Sequence, residues 1–307
     1  MNEIASILAT LAPVFALVAL GAGLRWADFP GAEFWPLAER FTYYLLFPVL
    51  LVLKISTATL PQQGLGQVVL ALLLALLLMV LVSLLLAKLL DLSMPAKSSL
   101  FQGGIRFNTY VGLAAAAALF GEQGILWGAL FLGLMIPLIN IACVSVFILS
   151  GGSGPGRWRG LLLPLLKNPL IIGCLLGGAL NLSGAGMPSP LIPVLELLST
   201  MALPLGLLAV GVGLNLKAMR GGGGALWGSC LLKLLLYPLC FALLARLFAL
   251  PPEAVAVLLI FVSLPTAPSA YILARQMGGD APLMAAIITL QTLLAAVTMP
   301  LVMHLLG

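Results

Sequence analysis

Two long apolar segments of this chain carry helix breakers and polar groups in their middle, and they lie at matching places in the two halves of the sequence. The first is Ser99–Gly112, which contains two adjacent glycines, an arginine and an asparagine. The second is Phe261–Arg275, which contains two prolines three residues apart. In a bilayer, unwound backbone is tolerated only where protein buries it or where it lines a water-filled cavity. Such paired interruptions point to the binding site of a secondary transporter.

The composition places the chain in a membrane. It is 62% hydrophobic and only 7% charged, whereas an ordinary soluble domain carries about 25% charged residues. Apolar runs of about 20 residues, the length that a bilayer requires, recur along the whole chain. The net charge of +5 lies in short loops, so it reports topology and predicts no nucleic-acid partner. The sequence therefore predicts an all-α integral membrane protein with the lipid bilayer as its solvent.

The hydrophobic pattern predicts ten transmembrane helices. A Gly-rich segment at the midpoint, Ser150–Arg159, is the one stretch that resembles a linker. We expect a first five-helix repeat over residues 1–149, a cytoplasmic linker over 150–160 and a second repeat over 161–307. The predicted spans lie at about residues 4–24, 35–57, 66–89, 97–120, 124–149, 161–181, 190–215, 224–249, 253–276 and 282–306.

Proline spacing indicates that the two halves are related. Pro13 and Pro169 are 156 residues apart, and so are Pro48 and Pro204. Each pair falls in the same span of its half. Because five is an odd number, the second copy of a five-span repeat enters the membrane in the opposite orientation. This arrangement is a 5+5 inverted repeat, a common architecture of secondary transporters.

The distribution of basic residues predicts the orientation. By the positive-inside rule, the side with more Lys and Arg faces the cytoplasm. We therefore expect a multi-pass protein of the cell (inner) membrane with both termini on the non-cytoplasmic side. The opposite side carries Arg246 and, near a span end, Lys54. The loops after odd-numbered spans carry Arg25, Arg40, Lys88, Lys97, Arg157, Arg159, Lys217, Arg220 and Arg275.

The first interrupted span supplies the candidate cation. Arg106 lies about nine residues into the fourth span, roughly 14 Å deep, where a lone Arg costs about 2.5–3.5 kcal/mol. One interpretation is a cationic group that faces a cavity and attracts an anionic substrate. The other is an Arg paired with carbonyls that a break at Gly103 and Gly104 has freed. Asn108 and Thr109 follow at the expected break, and either can bind substrate or satisfy unwound backbone.

The second interrupted span supplies the opposite wall of the predicted site. Pro265 and Pro268 each remove a backbone donor and free carbonyls one turn earlier. Thr266 and Ser269 can satisfy those groups or face the substrate. If the two breaks meet, the positive ends of helix dipoles point into the site, which suits a carboxylate. A simple proline kink is the alternative.

Three further polar groups lie inside otherwise apolar spans, and we take them as candidates for coupling or support. Lys233 lies about eleven residues into the eighth span, where a buried lysine could titrate a proton. Asn140 and Gln291 are expected to form hydrogen bonds between helices.

Several function classes lack support in the sequence. It contains no Walker A loop, no His/Cys metal cluster and no Gly-x-Ser-x-Gly elbow. Neither interrupted span contains a carboxylate, so no sodium site built on buried Asp or Glu is visible, although carbonyls and hydroxyls could form one. We predict neither an enzyme nor a cofactor or metal requirement.

Three motifs resemble those of the auxin efflux carrier family, which includes bacterial malate and malonate permeases and plant PIN carriers. Arg106–Gly112 is similar to the fourth-span motif of the family, and Leu264–Arg275 is similar to its ninth-span motif. Phe41–Pro48 resembles its second span. The resemblance covers essentially the whole chain in length and span count. The short midpoint loop resembles that of the bacterial members.

The resemblance implies a ten-span fold in which the broken fourth and ninth helices cross at the centre. One bundle would form the support and the dimer contact, and the other would carry the substrate site. Known members of the family move organic anions by an elevator-like motion. Asn108 and the Pro265 region would line that site. The chain departs from the family at Leu113-Ala114, where many members have Leu-Pro. It also lacks, around Gln62-Gln63, the charged pair of plant members, which argues against auxin as substrate.

These observations predict a secondary active transporter of a small organic anion, a carboxylate, that works by alternating access with proton or sodium coupling. The resemblance further implies a homodimer. A sodium-coupled bile-acid-type symporter and a drug or metabolite exporter with another five-span repeat are the alternatives. Arg106, Asn108 and Thr109 form one wall of the predicted substrate site, and Pro265, Thr266, Pro268 and Ser269 form the other.

Overall fold

The computed structural model describes residues 2–59, 64–149, 167–184 and 187–307. All regular structure in these ranges is helical, as the composition predicts, and the predicted linker 150–160 lies outside them. A 3₁₀ turn at Leu216–Gly221 lies between the helices Ile192–Gly213 and Gly223–Leu247. The helices are α1 (Asn2–Trp26), α2 (Phe34–Ser56), α3 (Leu65–Leu89), α4 (Met94–Ile105), α5 (Thr109–Leu149), α6 (Pro169–Leu182), α7 (Ile192–Gly213), α8 (Gly223–Leu247), α9 (Pro252–Val262), α10 (Ser269–Met277) and α11 (Ala281–Leu306).

Seven helical segments in the described ranges are long and apolar enough to cross a membrane. One of them, Met94–Phe147, contains both the predicted fourth and fifth spans. The two predicted spans meet at Gly121, whose φ of 54° and ψ of −132° are not helical, so α5 consists of two helices joined at a kink. The predicted sixth and ninth spans correspond to the shorter apolar helices α6 and α9. The total of ten spans therefore stays a prediction.

The helices pack as two groups. The support bundle consists of α1, α2, α6 and α7, in which α1 packs on α7 and α2 packs on α6. Arg25, at the end of α1, donates to the carbonyls of Val212 and Leu214 at the end of α7. Asn181, at the end of α6, donates to the last carbonyls of α2, including that of Ile55. Both pairs of helices therefore end side by side.

The site bundle consists of α3, α4, α5 and α8 to α11. Helix α4 packs on α3, α8 and α11, and α9 packs on α5, α8 and α11. Most of its central side chains are apolar and fully buried, such as Phe101, Phe261 and Ile287. Helix α5 belongs to this group and also contacts α1, α2, α6 and α7. It therefore forms much of the interface between the two bundles.

The chain leaves helical geometry in both of the segments that the sequence marks as interrupted. In the first, α4 ends at Ile105, Arg106 is extended with φ of −71° and ψ of 155°, and α5 begins at Thr109. In the second, α9 ends at Val262 and α10 begins at Ser269. The two gaps touch, because the backbone N–H of Asn108 donates to the carbonyl of Pro265 over 2.8 Å.

The adjacent glycines of the first segment do not form its break, contrary to our expectation. Gly103 and Gly104 lie inside α4. A Cβ at Gly103 would overlap the hydroxyl of Ser229 on α8, and one at Gly104 would lie 2.6 Å from the hydroxyl of Ser83 on α3. These glycines allow helices to approach closely. They free no carbonyls for Arg106.

Two long helices contain a π-helical turn just ahead of a proline. In α2 the turn is Thr42–Leu46, and Pro48 follows two residues after its end. In α8 the turn is Leu232–Leu236, and Pro238 follows at the same distance. Proline lacks an N–H, and its ring crowds the carbonyl four residues earlier, so the preceding turn widens. The widened turns carry Tyr43 and Lys233.

Candidate functional site

A cavity lies where the two breaks meet and where the bundles face each other. Its volume is about 70 Å³, well below the 300–1,000 Å³ of pockets that hold drug-sized ligands. The cavity therefore suits a small ligand. The support bundle contributes Tyr43, Asn168 and Leu170, and the site bundle contributes Arg106, Phe107, Thr109, Ile136, Ile139, Asn140, Ala267 and Ser269.

Arg106 is the cationic group of this cavity. It is half-buried at the end of α4, and its guanidinium donates to Oδ1 of Asn140 over 2.9 Å and to Oε1 of Gln102 over 3.3 Å. No acidic side chain in the described ranges lies within ion-pair distance of it. Two neutral amides therefore hold the guanidinium in place while its positive charge stays uncompensated.

Asn140 holds this arginine, which fits the supporting role that we predicted for it. It lies on α5, and its carbonyl oxygen faces the guanidinium of Arg106. Because Asn140 also lines the cavity, it contacts both the cationic group and the space in which a substrate would lie.

Asn108 lies at the break but is not among the residues that line the cavity. Its Oδ1 accepts hydrogen bonds from the backbone N–H groups of Tyr110 and Val111, the arrangement of a helix N-cap. Its Nδ2 is buried without a hydrogen-bond partner among the described residues. Asn108 therefore starts α5, and its predicted contact with substrate stays a prediction.

Three helices begin at the wall of the cavity. Thr109 begins α5, Ser269 begins α10, and Asn168 precedes α6. Oδ1 of Asn168 accepts from the N–H groups of Leu170 and Ile171. The N-terminus of a helix carries a partial positive charge, although side chains already accept from backbone N–H groups at the starts of α5 and α6. These three ends add to the positive potential that Arg106 creates.

Sequence reasoning missed two of the polar lining residues, Asn168 and Tyr43. Asn168 stands directly before Pro169 and an apolar run, which is the ordinary signature of a helix start, and that signal was available. Tyr43 lies within the motif Phe41–Pro48, but a tyrosine in a membrane span carries no signal of its own. Both residues belong to the support bundle, so the predicted site contained no residue from that bundle.

Thr266 and Gln291 form a buried network behind the cavity. The amide oxygen of Gln291 accepts from the backbone N–H of Thr266 over 2.9 Å. The hydroxyl of Thr266 lies 2.8 Å from the same oxygen. The amide nitrogen of Gln291 donates to the carbonyls of Gly103 and Ser229 and to the Ser229 hydroxyl. The Thr266 hydroxyl also lies 3.0 Å from the Gly103 carbonyl.

This network, which we call the Gln291 brace, links α4, α8, α11 and the second break. Gln291 and Thr266 are both fully buried, and neither lines the cavity, nor do Pro265 and Pro268. The structure thus brings Arg106, Thr109, Asn140 and Ser269 together at the cavity. It places the other predicted residues of the two breaks behind it.

Lys233 lies apart from this site, in the π turn of α8. It is fully buried, and its Nζ has no hydrogen-bond partner in the described ranges. The Nζ lies 4.5 Å from the centre of the Tyr237 ring, which is the geometry of a cation–π contact. Its predicted role in coupling stays a prediction.

Comparison with known proteins agrees with a role in transport. Residues 159–303 match the protein family described as membrane transport protein, a match that covers just under half of the chain. It supports the resemblance to the auxin efflux carrier family. No curated protein matches the sequence.

These findings support a multi-pass membrane transporter. The matched family is one of transporters and not of enzymes. The second break, Gln291 and Asn168 all lie within the matched residues, whereas Gly103, which Gln291 contacts, lies before them. The first break and Arg106 lie before them, so the roles of that half rest on its own geometry.

Proposed function

We propose that this transporter is a secondary carrier of small organic anions, and that its substrate is a carboxylate. The observation that carries this proposal is the cavity at the crossing, where Arg106 has no acidic partner among the described residues and three helix N-termini converge. A guanidinium is a good donor to carboxylate oxygens, and the dipole at a helix N-terminus favours a negative charge. A neutral or cationic ligand would gain nothing from this potential.

The proposed mechanism is alternating access by movement of the site bundle against the support bundle. The cavity lies between the two, and most of its lining belongs to the site bundle. In such a motion Arg106, Thr109 and Ser269 would travel with the substrate, while Tyr43 and Asn168 would contact it from the support bundle in this conformation.

The inverted repeat is part of the same proposal. The pairing of α1 with α7 and of α2 with α6 supports it, since these two pairs are equivalent in a five-helix repeat. The positive φ at Gly121 and at Gly278, 157 residues apart, supports it as well. We further propose the crossed ten-span architecture, the bacterial permease-like subtype, the inner-membrane location with both termini outside the cytoplasm, and a homodimer.

The experiment compares Arg106→Gln with Arg275→Gln in purified protein reconstituted into liposomes. Arg275 is exposed at the end of α10 and does not line the cavity, so it controls for the loss of one positive charge. Uptake is measured for a panel of labelled mono- and dicarboxylates. Hydrogen bonds to a charged group contribute about 1.5–3 kcal/mol, so we expect KM to rise by about 10- to 150-fold in Arg106→Gln alone.

Equal carboxylate uptake by the two variants would contradict the proposed role of Arg106. Saturable uptake of a neutral or cationic compound, with none of any carboxylate, would contradict the proposed substrate class and favour the drug or metabolite exporter. Repeating the assay with and without sodium, and at two pH values, distinguishes sodium coupling from proton coupling.

A further inference from the structure

The two bundles are joined by an ion pair that lies outside the cavity. Nζ of Lys54, near the end of α2, lies 2.7 Å from Oε1 of Glu122, which follows the kink of α5 at Gly121. Lys54 belongs to the support bundle and Glu122 to the site bundle. The two residues are 68 positions apart in the chain, and only the fold brings them together.

The ion pair lies toward one membrane face, which we call the N-terminal face because α1 begins there. Along α2, Lys54 is eleven residues beyond Tyr43, which lines the cavity. At 1.5 Å per residue the two positions are about 16 Å apart. The ion pair is therefore well removed from the proposed substrate contacts.

Aromatic packing fills the space between the cavity and the ion pair. The rings of Phe47 on α2 and Tyr110 on α5 have centres 4.8 Å apart. Gly206 of α7 lies against both of them, since a Cβ there would be 3.1 Å from Tyr110 and 3.2 Å from Phe47. Both aromatic residues are buried. On this side the bundles are in close contact.

We propose that the Lys54–Glu122 ion pair is a latch that stabilises the conformation closed on the N-terminal face. This inference rests on the proposed movement of the site bundle against the support bundle. Such a movement would carry Glu122 away from Lys54 and separate the ring of Tyr110 from that of Phe47. The attraction between opposite charges is present only while the bundles are closed there, so it shifts the equilibrium toward that state.

The expected size of the effect follows from the exposure of the pair. The side chain of Lys54 is 27% exposed and that of Glu122 is 73% exposed. Pairs of this kind are weak in water, and their loss changes an equilibrium by about two- to fivefold. The latch therefore adjusts the ratio of the two states without locking either of them.

The test measures access to the cavity and requires no substrate. Ser269→Cys, which lines the cavity and is exposed, is placed in a chain whose native cysteines are replaced by alanine. Its reaction rate with a membrane-impermeant maleimide is measured in vesicles of both orientations. A separate Gln123→Cys protein, with its reporter beside Glu122, shows which vesicles expose the N-terminal face.

The reporter is combined with Lys54→Glu, with Glu122→Lys and with both together. We expect each single reversal to raise labelling from the N-terminal face by about two- to fivefold, and the double reversal to return it to the parental rate. Glu196→Lys, an exposed residue on α7, makes the same charge change away from the pair and should leave the rate unchanged.

Parental labelling rates in both single variants would overturn the latch. An increase that the double reversal fails to restore, or one that Glu196→Lys reproduces, would also overturn it. None of these outcomes depends on which compound is transported. A failure of the latch is thus distinguishable from a failure of the proposed substrate class, which is judged by uptake.

Discussion

Removing the hydrogen-bonding groups of the Gln291 brace should loosen the crossing while leaving the cavity lining intact. The substitution Gln291→Met keeps the length of the side chain and deletes both its donor and its acceptor. Gln291 makes four hydrogen bonds to the backbone of Gly103, Thr266 and Ser229 and to the Ser229 hydroxyl. The Gly103 carbonyl can still accept from the Thr266 hydroxyl, but the Thr266 N–H loses the acceptor seen here.

The magnitude can be worked from these contacts. Hydrogen bonds between membrane helices average about 0.6 kcal/mol each, so four of them amount to about 2–3 kcal/mol. Leaving one buried N–H without an acceptor costs about 1–3 kcal/mol, which agrees with that figure. For a chain of this size, 1 kcal/mol corresponds to about 2 °C in Tm. We therefore expect a decrease of about 4–6 °C.

The assay is thermal unfolding of purified protein in detergent, together with carboxylate uptake in liposomes. Thr292→Val is the matched control, because Thr292 is the next residue, is buried, and donates only within its own helix to the carbonyl of Ile288. It should lower Tm by less than about 2 °C. We also expect uptake to fall in Gln291→Met and to persist in Thr292→Val. If both variants unfold at the same temperature and transport equally, the brace does not hold the crossing.

Three further substitutions test other parts of the structure. Gly211→Ala places a methyl group against the carbonyl of Val18 on α1, whereas Gly213→Ala meets open space. In thermal unfolding, the free energy of unfolding should fall by about 1–3 kcal/mol in Gly211→Ala alone. Equal stability of the two variants would contradict the close α1–α7 contact. Asn140→Ala removes a hydrogen bond to Arg106. Uptake assays should therefore show an increase in KM of about 10-fold, while Tm is unchanged. A decrease in kcat alone would contradict the role of Asn140 in positioning Arg106. Asn108→Ala removes the cap of α5 and should lower stability by about 1 kcal/mol, whereas Asn108→Ser should retain most of it.

The sequence predicts the breaks well because their causes are local. Pro265 and Pro268 cannot continue a helix wherever they stand. Asn108 favours a helix start because its side chain competes with the backbone for hydrogen bonds. The apolar composition and the length of each span are set by the lipid bilayer that it crosses. For these features a single segment contains all the information that is needed.

The site itself was harder to predict because its geometry depends on partners that are distant in the chain. Gly103 and Gly104 looked like helix breakers, yet they lie inside α4, where Ser229 and Ser83 approach too closely for any side chain. Thr266 looked like a substrate contact, yet its groups are used by Gln291. Glycine and threonine each serve several purposes in membrane helices, and only tertiary contacts decide among them.

Both breaks leave the start of a helix at the cavity wall, but they do so with different residues. These helix starts explain part of the positive potential of the site. The second break has prolines after the end of its first helix, whereas the first break has an asparagine cap that starts its second helix. Each then satisfies backbone groups of the other, through Asn108 with Pro265 and through Thr266 with Gly103. The helix starts at Thr109 and Ser269 are left at the cavity wall. Part of the positive potential therefore comes from the backbone, and substitution of Arg106 alone should weaken anion binding without reversing the preference for anions.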